Sequence, residues 1–509
     1  MSDSIKKRFA FKLSSNLVGL LVGLATQAII PRGLGPKAYG DFSFLTDFFG
    51  KIVNFLDMGT STCFFNKLSQ RPNDSQLISF YFSFSGLISF LVILFVAVAQ
   101  WTGIRTVLWP GYELQYVFMA SLFAIFLWIS GLLNTVADAY GATVATEKIR
   151  MLQKILGLVI LLSLYVSHQL QLTQFFLYNY AILFFLIVAF VWVMSKKKHL
   201  SKQNLFLSKE NVKKFGAEFY KYSHPLFWGA LAGNAATMLD RWWLQIFAGS
   251  EQQGFYGFAY LIGAVFVIFA NSMQPLIARE FAINFTKNDF KQMAFLFRRY
   301  VPFFYSLAAF FSCLVVFQAE NIILIMGGGK YLGAKPALVF MAFFTIHQVY
   351  GQLSGSLFAA TDQTILMSKM AIVLYLIGIP ATYFLVAPQN SFGLNFGAAG
   401  LAFKMVLIQF LSANVQLFYN ARMLRLNFWK YVGHQFIVVI CFLSLAFFAS
   451  FGVAHVFGFQ GRFVLDFVLS GIFYVFLVAS LVFFFPRIIG LTGNDLDLIV
   501  NKIKRSIAA

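Results

Sequence analysis

Charge is the scarcest property of this chain. Of its 509 residues only 11% are Asp, Glu, Lys or Arg, against 59% hydrophobic, and the mean hydropathy is +0.75. A soluble domain is about 25% charged and about 45–50% apolar. So few ionic groups cannot cover a water-exposed surface, which excludes a soluble enzyme, and the apolar excess excludes a disordered chain. Acid is scarcer still: 19 Asp and Glu stand against 39 Lys and Arg, a formal charge of +20. In a soluble protein that balance points to nucleic acid. In a chain this apolar it is the loop charge that orients spanning helices, and no nucleic-acid partner is expected. Cysteine is nearly absent. Cys63, Cys313 and Cys441 lie far apart in apolar runs, and the six His have no ligand spacing. These absences exclude a disulfide framework and give no metal site, and no cofactor is expected. Catalytic motifs are missing too. Met326-Gly327-Gly328-Gly329-Lys330 ends in Gly-Lys with no Ser or Thr after it, so it is no nucleotide loop. No nucleophile, base and orienter assemble, and an enzyme is not expected.

What is abundant is apolar sequence in long runs, with 66 Phe among them. A spanning helix needs about 20 such residues. Fourteen runs qualify: roughly 13–30, 41–65, 77–100, 114–141, 150–168, 173–194, 222–248, 255–278, 300–318, 336–360, 366–387, 396–420, 431–455 and 463–485. Open β-structure is not viable in lipid, and the alternation of a barrel is lacking. The expected fold is an all-α polytopic membrane protein with 14 transmembrane helices. With the N-terminus cytoplasmic, inner segments hold 30 Lys and Arg and outer segments hold 6, alternating loop by loop. That bias predicts a multi-pass protein with both termini cytoplasmic. The first run follows a basic stretch, as a cleaved leader does, but its pattern recurs later in the chain, so a retained span is expected.

The recurrence is an internal duplication at an offset near 216. Asn16 matches Asn234, and Tyr39-Gly40 matches Tyr256-Gly257. Asp57-Met58-Gly59 falls where Gln274-Pro275 falls, and Thr146-Glu147-Lys148 where Thr361-Asp362-Gln363 falls. Six spans separate the copies, so both have one orientation, as in transporters with parallel repeats. The expected domains are an N-lobe at 1–194, a basic linker at 195–221, a C-lobe at 222–430, a helix pair at 431–485 without a counterpart, and a basic tail at 486–509. The linker carries eight Lys interleaved with Leu205, Phe206, Leu207, Val212 and Phe215. Either it lies on anionic lipid or it docks a cytoplasmic partner.

Ionisable residues inside spans are expensive and should face a cavity or a partner. Asp47 and Lys51 lie four residues apart on one helix face. Either they compensate each other, or a bound anion competes with Asp47 for Lys51. Asp57 lies further along, beside a hinge at Gly59, where it either carries a coupling proton or sits near the inner interface. Asp240 and Arg241 are adjacent and point about 100° apart, so one can line a lumen while the other braces a neighbour. Lys404 either snorkels or is a cavity cation. Asp138 reads as an interfacial cap, and Pro275 and Pro380 as bending points. Candidate cations at Lys51, Arg241 and Lys404 suit an anionic substrate, of which phosphate is the natural choice.

The stretch Pro31-Arg32-Gly33-Leu34-Gly35-Pro36-Lys37-Ala38-Tyr39-Gly40, after a first helix with Asn16, resembles the opening of bacterial polysaccharide (O-antigen) flippases. These belong to the multidrug/oligosaccharidyl-lipid/polysaccharide exporter superfamily. Leu239-Asp240-Arg241, Gly254-Phe255-Tyr256-Gly257 and Gly397-Ala398-Ala399-Gly400 are looser echoes, and the resemblance runs to about residue 425. It implies two six-helix bundles with alternating access to a central cavity in the bacterial inner membrane. It implies an undecaprenyl-diphosphate-linked oligosaccharide as substrate, for lipopolysaccharide O-antigen biosynthesis. It carries the substrate role to Arg241 by motif and to Lys51 and Lys404 by position. It also implies coupling to an ion, H+ or Na+, for which Asp47, Asp57 and Asp240 are candidates. A multidrug antiporter of the same superfamily and a peptidoglycan-precursor flippase are the alternatives. A membrane polymerase or ligase would need a long outer loop, and the longest here is about 319–335.

Overall fold

The structure is a computed structural model that describes residues 5–71, 74–140, 142–196, 209–457 and 462–490. Most of the basic linker (197–208) and of the C-terminal tail (491–509) therefore lies outside the described residues, as does the side chain of Asn16. All regular structure among the described residues is helical. The helices are α1 (Ile5–Asp57), α2 (Thr60–Gln70), α3 (Ser75–Trp101), α4 (Arg105–Leu108), α5 (Leu114–Ala139), α6 (Thr143–Val166), α7 (Leu172–Lys196) and α8 (Lys209–Val265). They continue as α9 (Ile268–Thr286), α10 (Phe290–Met326), α11 (Lys335–Ala360), α12 (Thr364–Val386), α13 (Gly397–Met423), α14 (Phe428–Phe457) and α15 (Phe463–Phe484). Among the described residues ten helices are long and apolar enough to cross a membrane, or eleven if the bent α8–α9 pair is one span. At most 50% of each apolar window is buried inside the chain, so large side chains such as Phe448 and Phe476 face outward. That outward apolar surface needs lipid to cover it.

Two pairs of the fourteen runs are joined through a glycine kink with no loop between them. Runs 13–30 and 41–65 meet in α1, which is interrupted at Gly35 (φ 76, ψ 170) and ends before Gly59 (φ 76). Runs 222–248 and 255–278 meet in α8, which is interrupted at Gly249 (φ 78, ψ −176). The backbone signature is the same in both places, 214 residues apart, and glycine enters this region without steric cost. Pro36 follows Gly35 as the first residue of the new helical segment, where its missing N–H costs no bond. The next bend, 53° between α8 and α9, falls at Phe266–Val267 and not at Pro275, which lies inside α9. Pro380 likewise lies inside α12. Asp74 caps α3 and Asp289 caps α10, each carboxylate accepting a backbone N–H three residues on.

The chain divides into two compact units, 1–254 and 255–509. In the first, α5 packs against α1, α3 and α7, and α6 against α1 and α7. Its core is aromatic, with Phe44, Phe48, Phe49, Trp109 and Phe176 buried together and the Phe49 and Trp109 rings stacked at 5.5 Å. In the second, α11 is packed by α9, α10 and α13, and α14 and α15 pair with each other against α10. Its core joins Phe297, Tyr305, Tyr350, Leu353, Phe442 and Tyr474. The Gly-rich segment at 327–330 leads into a 3-10 turn, Gly329–Ala334, whose Tyr331 packs on Phe258 at 4.6 Å. That contact gives the segment a packing role.

Candidate functional site

The charged residues of the first unit converge from two helices. Ser43, Asp47 and Lys51 recur every four residues along α1, which puts them on one face. Lys51 Nζ is 2.5 Å from Asp47 Oδ2 and donates to the Thr237 carbonyl of α8 at 3.0 Å. Arg241, one turn beyond Thr237, reaches back to α1. Its Nη2 donates to Ser43 Oγ at 2.6 Å, and its Nε lies 3.8 Å from the same Asp47 Oδ2. One carboxylate oxygen is thus shared by two cations. The Asp47 side chain is 37% exposed, while those of Lys51 and Arg241 are 16% and 10% exposed. The cations are largely desolvated and held by bonds to Thr237 and Ser43, and the carboxylate is the wetter partner. An anion that replaced Asp47 would meet two preorganised donors instead of paying the full cost of leaving water. Asp240 is buried and within electrostatic reach of Lys51, so the cluster balances two cations with two acids.

The wall around this cluster was not read from the sequence. Gln253 donates its side-chain N–H to the Arg241 carbonyl. Asp41 bonds Ser250 and Tyr112, and Gln245 reaches Ser250 at 3.2 Å. Asp41 lies in an apolar run and carries the signal of an intramembrane charge; Gln253 and Ser250 carry no such signal, because their contacts come from chain crossing. The crossing itself is close. A Cβ on Gly40 would lie 1.8 Å from the Ser250 carbonyl oxygen, and one on Gly254 would lie 2.0 Å from that of Pro36. The segments beyond Gly35 and Gly249 therefore touch backbone to backbone through glycine at two points.

Asp57 belongs to a different site. It ends α1, and its carboxylate accepts from Thr60 Oγ1 (2.8 Å), Ser61 N (3.1 Å), Ser61 Oγ (2.7 Å) and Tyr81 OH (2.9 Å). A 7% exposed carboxylate is thus held by four neutral donors and joins α1, α2 and α3 around Gly59. Asp138, at the end of α5, accepts from Asn134 at 3.2 Å and lines a cavity of about 250 Å³ with Ser61, Thr62 and Thr135. Lys404 lies in the second unit, buried in α13. A Cβ on Gly378 of α12 would lie 3.0 Å from its Cε and 3.3 Å from its Nζ, so the glycine leaves room for the ammonium. The second unit also joins Gln352 of α11 to Asn271 and Gln274 of α9 at 2.5 and 2.7 Å. Gln274 is the residue that the internal repeat sets opposite Asp57. Of the sequence candidates in the first unit, Asp47, Lys51, Asp240 and Arg241 come together and Asp57 makes a separate site; Lys404 belongs to the second unit.

The model of the polysaccharide biosynthesis protein family matches residues 5–279, more than half of the chain and all of this cluster. The chain belongs to that family. No curated protein sequence matches it. Among solved structures, the lipid II flippase MurJ in an inward closed conformation superposes with a TM-score of 0.67 at 13% identity, covering 93% of this chain and 99% of MurJ. An inward-facing multidrug resistance MATE family transporter of the MOP superfamily gives 0.58 at 12% identity, covering 83% and 98%. A MOP superfamily transporter from Pyrococcus furiosus, described as having a binding pocket of reverse polarity, gives 0.51 at 12% identity, covering 83% and 95%. This member of the polysaccharide biosynthesis family therefore has the MOP-superfamily transporter fold, which agrees with the resemblance read from Pro31–Gly40.

Proposed function

We propose that the protein flips an undecaprenyl-diphosphate-linked oligosaccharide across the bacterial inner membrane by alternating access, as a step in O-antigen or a related polysaccharide pathway. The observation that carries the reading is Asp47 of α1 shared between Lys51 of α1 and Arg241 of α8 in a polysaccharide biosynthesis family member. In this reading the diphosphate displaces Asp47 and binds both cations while the prenyl tail stays in lipid, and Lys404 supplies a further positive charge from the second bundle. The proposed architecture is fourteen spans, with α1 and α8 each counted as two across Gly35 and Gly249. They form an N-lobe, a C-lobe and the α14–α15 pair, with both termini cytoplasmic. Asp57, Asp47 and Asp240 are the proposed carriers for H+ or Na+.

The test is a reconstituted flipping assay with Arg241→Ala and Arg241→Lys. The Ala variant should lose transport, and the Lys variant should keep part of it, because the point charge survives while the bidentate fork is lost. Unchanged transport by Arg241→Ala would remove Arg241 from the mechanism. A cation-drug antiporter is the second reading, favoured by Asp41, Asp47 and Asp240 near the same place. It predicts drug efflux that fails in Asp47→Asn and survives Lys51→Ala.

A further inference from the structure

Two adjoining cavities lie at one end of the second unit. One, of about 1080 Å³, is walled by the α9–α10 turn and the C-terminal end of α13. The other, of about 520 Å³, is walled by α10, the α13–α14 turn, the start of α14 and the 3-10 turn Pro486–Ile489. Arg298 and Arg425 line both cavities and so form the partition between them. Lys287 and Lys291 face the first, and Lys430 and Arg487 the second. Six cations drawn from well-separated stretches of chain thus converge on one cleft. Among the described lining residues Asp289 is the one carboxylate, and it is occupied in capping α10 through Gln292 N at 2.9 Å. Among the described residues no carboxylate pairs with any of the six.

A rule that merely biases loops toward basic residues would scatter these charges over separate turns. Their convergence on a partitioned cleft builds a positive potential that a bound anion would offset. The setting indicates where that anion comes from. Phe290 and Phe295 at the first cavity, Trp429 beside Lys430, and Phe485 beside the 3-10 turn are 40%, 49%, 76% and 61% exposed. Exposed aromatic rings beside clustered Lys and Arg mark the headgroup level of a bilayer, and basic pockets between spanning helices take lipid phosphates there. We propose that this cleft binds an anionic phospholipid of the surrounding membrane, preferentially one with two phosphates seated on either side of Arg298 and Arg425. The bound lipid would bridge α10, α13 and the α14–α15 pair. The cleft shares no residue with the Asp47, Lys51 and Arg241 cluster or with Lys404, so the proposal does not depend on the transport reading.

The test titrates the full-length purified protein in detergent with cardiolipin, phosphatidylethanolamine and inorganic pyrophosphate, reading bound ligand by native mass spectrometry. Cardiolipin should bind at least tenfold more tightly than phosphatidylethanolamine. Arg298→Gln/Arg425→Gln should weaken cardiolipin by roughly thirtyfold, since each basic residue near the surface is worth about a fivefold factor. Lys330→Gln/Lys335→Gln, at the opposite end of the same unit, should leave it unchanged. If the arginine pair fails to fold, Lys287→Gln/Lys430→Gln tests the same cleft with an expected loss of the same size. Wild-type cardiolipin affinity in a folded cleft variant would overturn the proposal. So would saturable pyrophosphate binding that cardiolipin does not displace, which would make this a site for soluble phosphates.

Discussion

Gly40→Ala is the sharpest single perturbation of this molecule. The new Cβ would sit 1.8 Å from the Ser250 carbonyl oxygen and 2.7 Å from the Gly254 nitrogen. Both are backbone atoms, so no side chain can swing away. Restoring even a tight 3.4 Å contact moves the two segments apart by about 1.6 Å. Overpacking of this kind costs about 1–3 kcal/mol, and here the cost falls on conformations in which the segments touch. Any conformation that separates them escapes it, which makes the cost a population shift of about 5- to 150-fold. The assay is cross-linking of Lys37→Cys with Glu251→Cys by a short bismaleimide, in a background with Cys63, Cys313 and Cys441 replaced by Ala. Gly40→Ala and Gly254→Ala should each cut the cross-linking rate at least fivefold. Gly131→Ala, where a Cβ meets nothing within 4 Å, should leave it unchanged. Cross-linking that persists at the wild-type rate in both touching-glycine variants would refute the claim that backbone contact holds these segments together.

The remaining predictions concern charge. Lys51→Ala should lower flipping by about 10- to 150-fold, the loss expected for one hydrogen bond to a charged group, while the melting temperature changes little; a wild-type rate in proteoliposomes would count against the site. Lys404→Met keeps the length and removes the charge, and should slow transport about tenfold without unfolding α12 and α13, as checked by circular dichroism. Tyr81→Phe removes one donor from the buried Asp57 carboxylate and should lower stability by about 1.5–3 kcal/mol in denaturant titrations. Glu218 of α8 bonds Arg71 at 2.6 Å, and that bond holds its carboxyl below the ordinary value of 4.5. Its contribution is therefore complete above pH 4.5 and lost as pH falls through the lowered value. The pair is about a third exposed, so the effect is at most about 1 kcal/mol, and Arg71→Gln should flatten that part of the acid limb in thermal melts.

The parts of this molecule that local chemistry dictates were legible in the sequence. Apolar runs marked the helices, and the four-residue step from Asp47 to Lys51 predicted their contact because helix geometry alone sets it. The sequence match of Tyr39-Gly40 with Tyr256-Gly257 has a backbone parallel in the breaks at Gly35 and Gly249. What sequence could not supply was contact between distant segments. Asp240 and Arg241 were expected to point apart, one lining a lumen and the other bracing a neighbour, but nothing near Arg241 in the sequence named Asp47 or, 198 positions earlier, Ser43. The glycines at 40 and 254 looked like helix openings, and their function as points of backbone contact depends on a crossing that no local pattern encodes. The basic residues at 287–298, 425–430 and 487 read as ordinary loop charge, and only the packing of α10, α13 and α14 gathers them into a cleft.

The central claim is that two fixed cations trade Asp47 for a lipid-borne diphosphate. It is tested most directly by reconstituting the protein with an undecaprenyl-diphosphate oligosaccharide and comparing flipping by wild type, Asp47→Asn and Lys51→Ala/Arg241→Ala. The account predicts that the double variant falls to the protein-free rate, while Asp47→Asn still binds the diphosphate at least as tightly as wild type. Flipping by the double variant at the wild-type rate, or loss of diphosphate binding in Asp47→Asn, would contradict it.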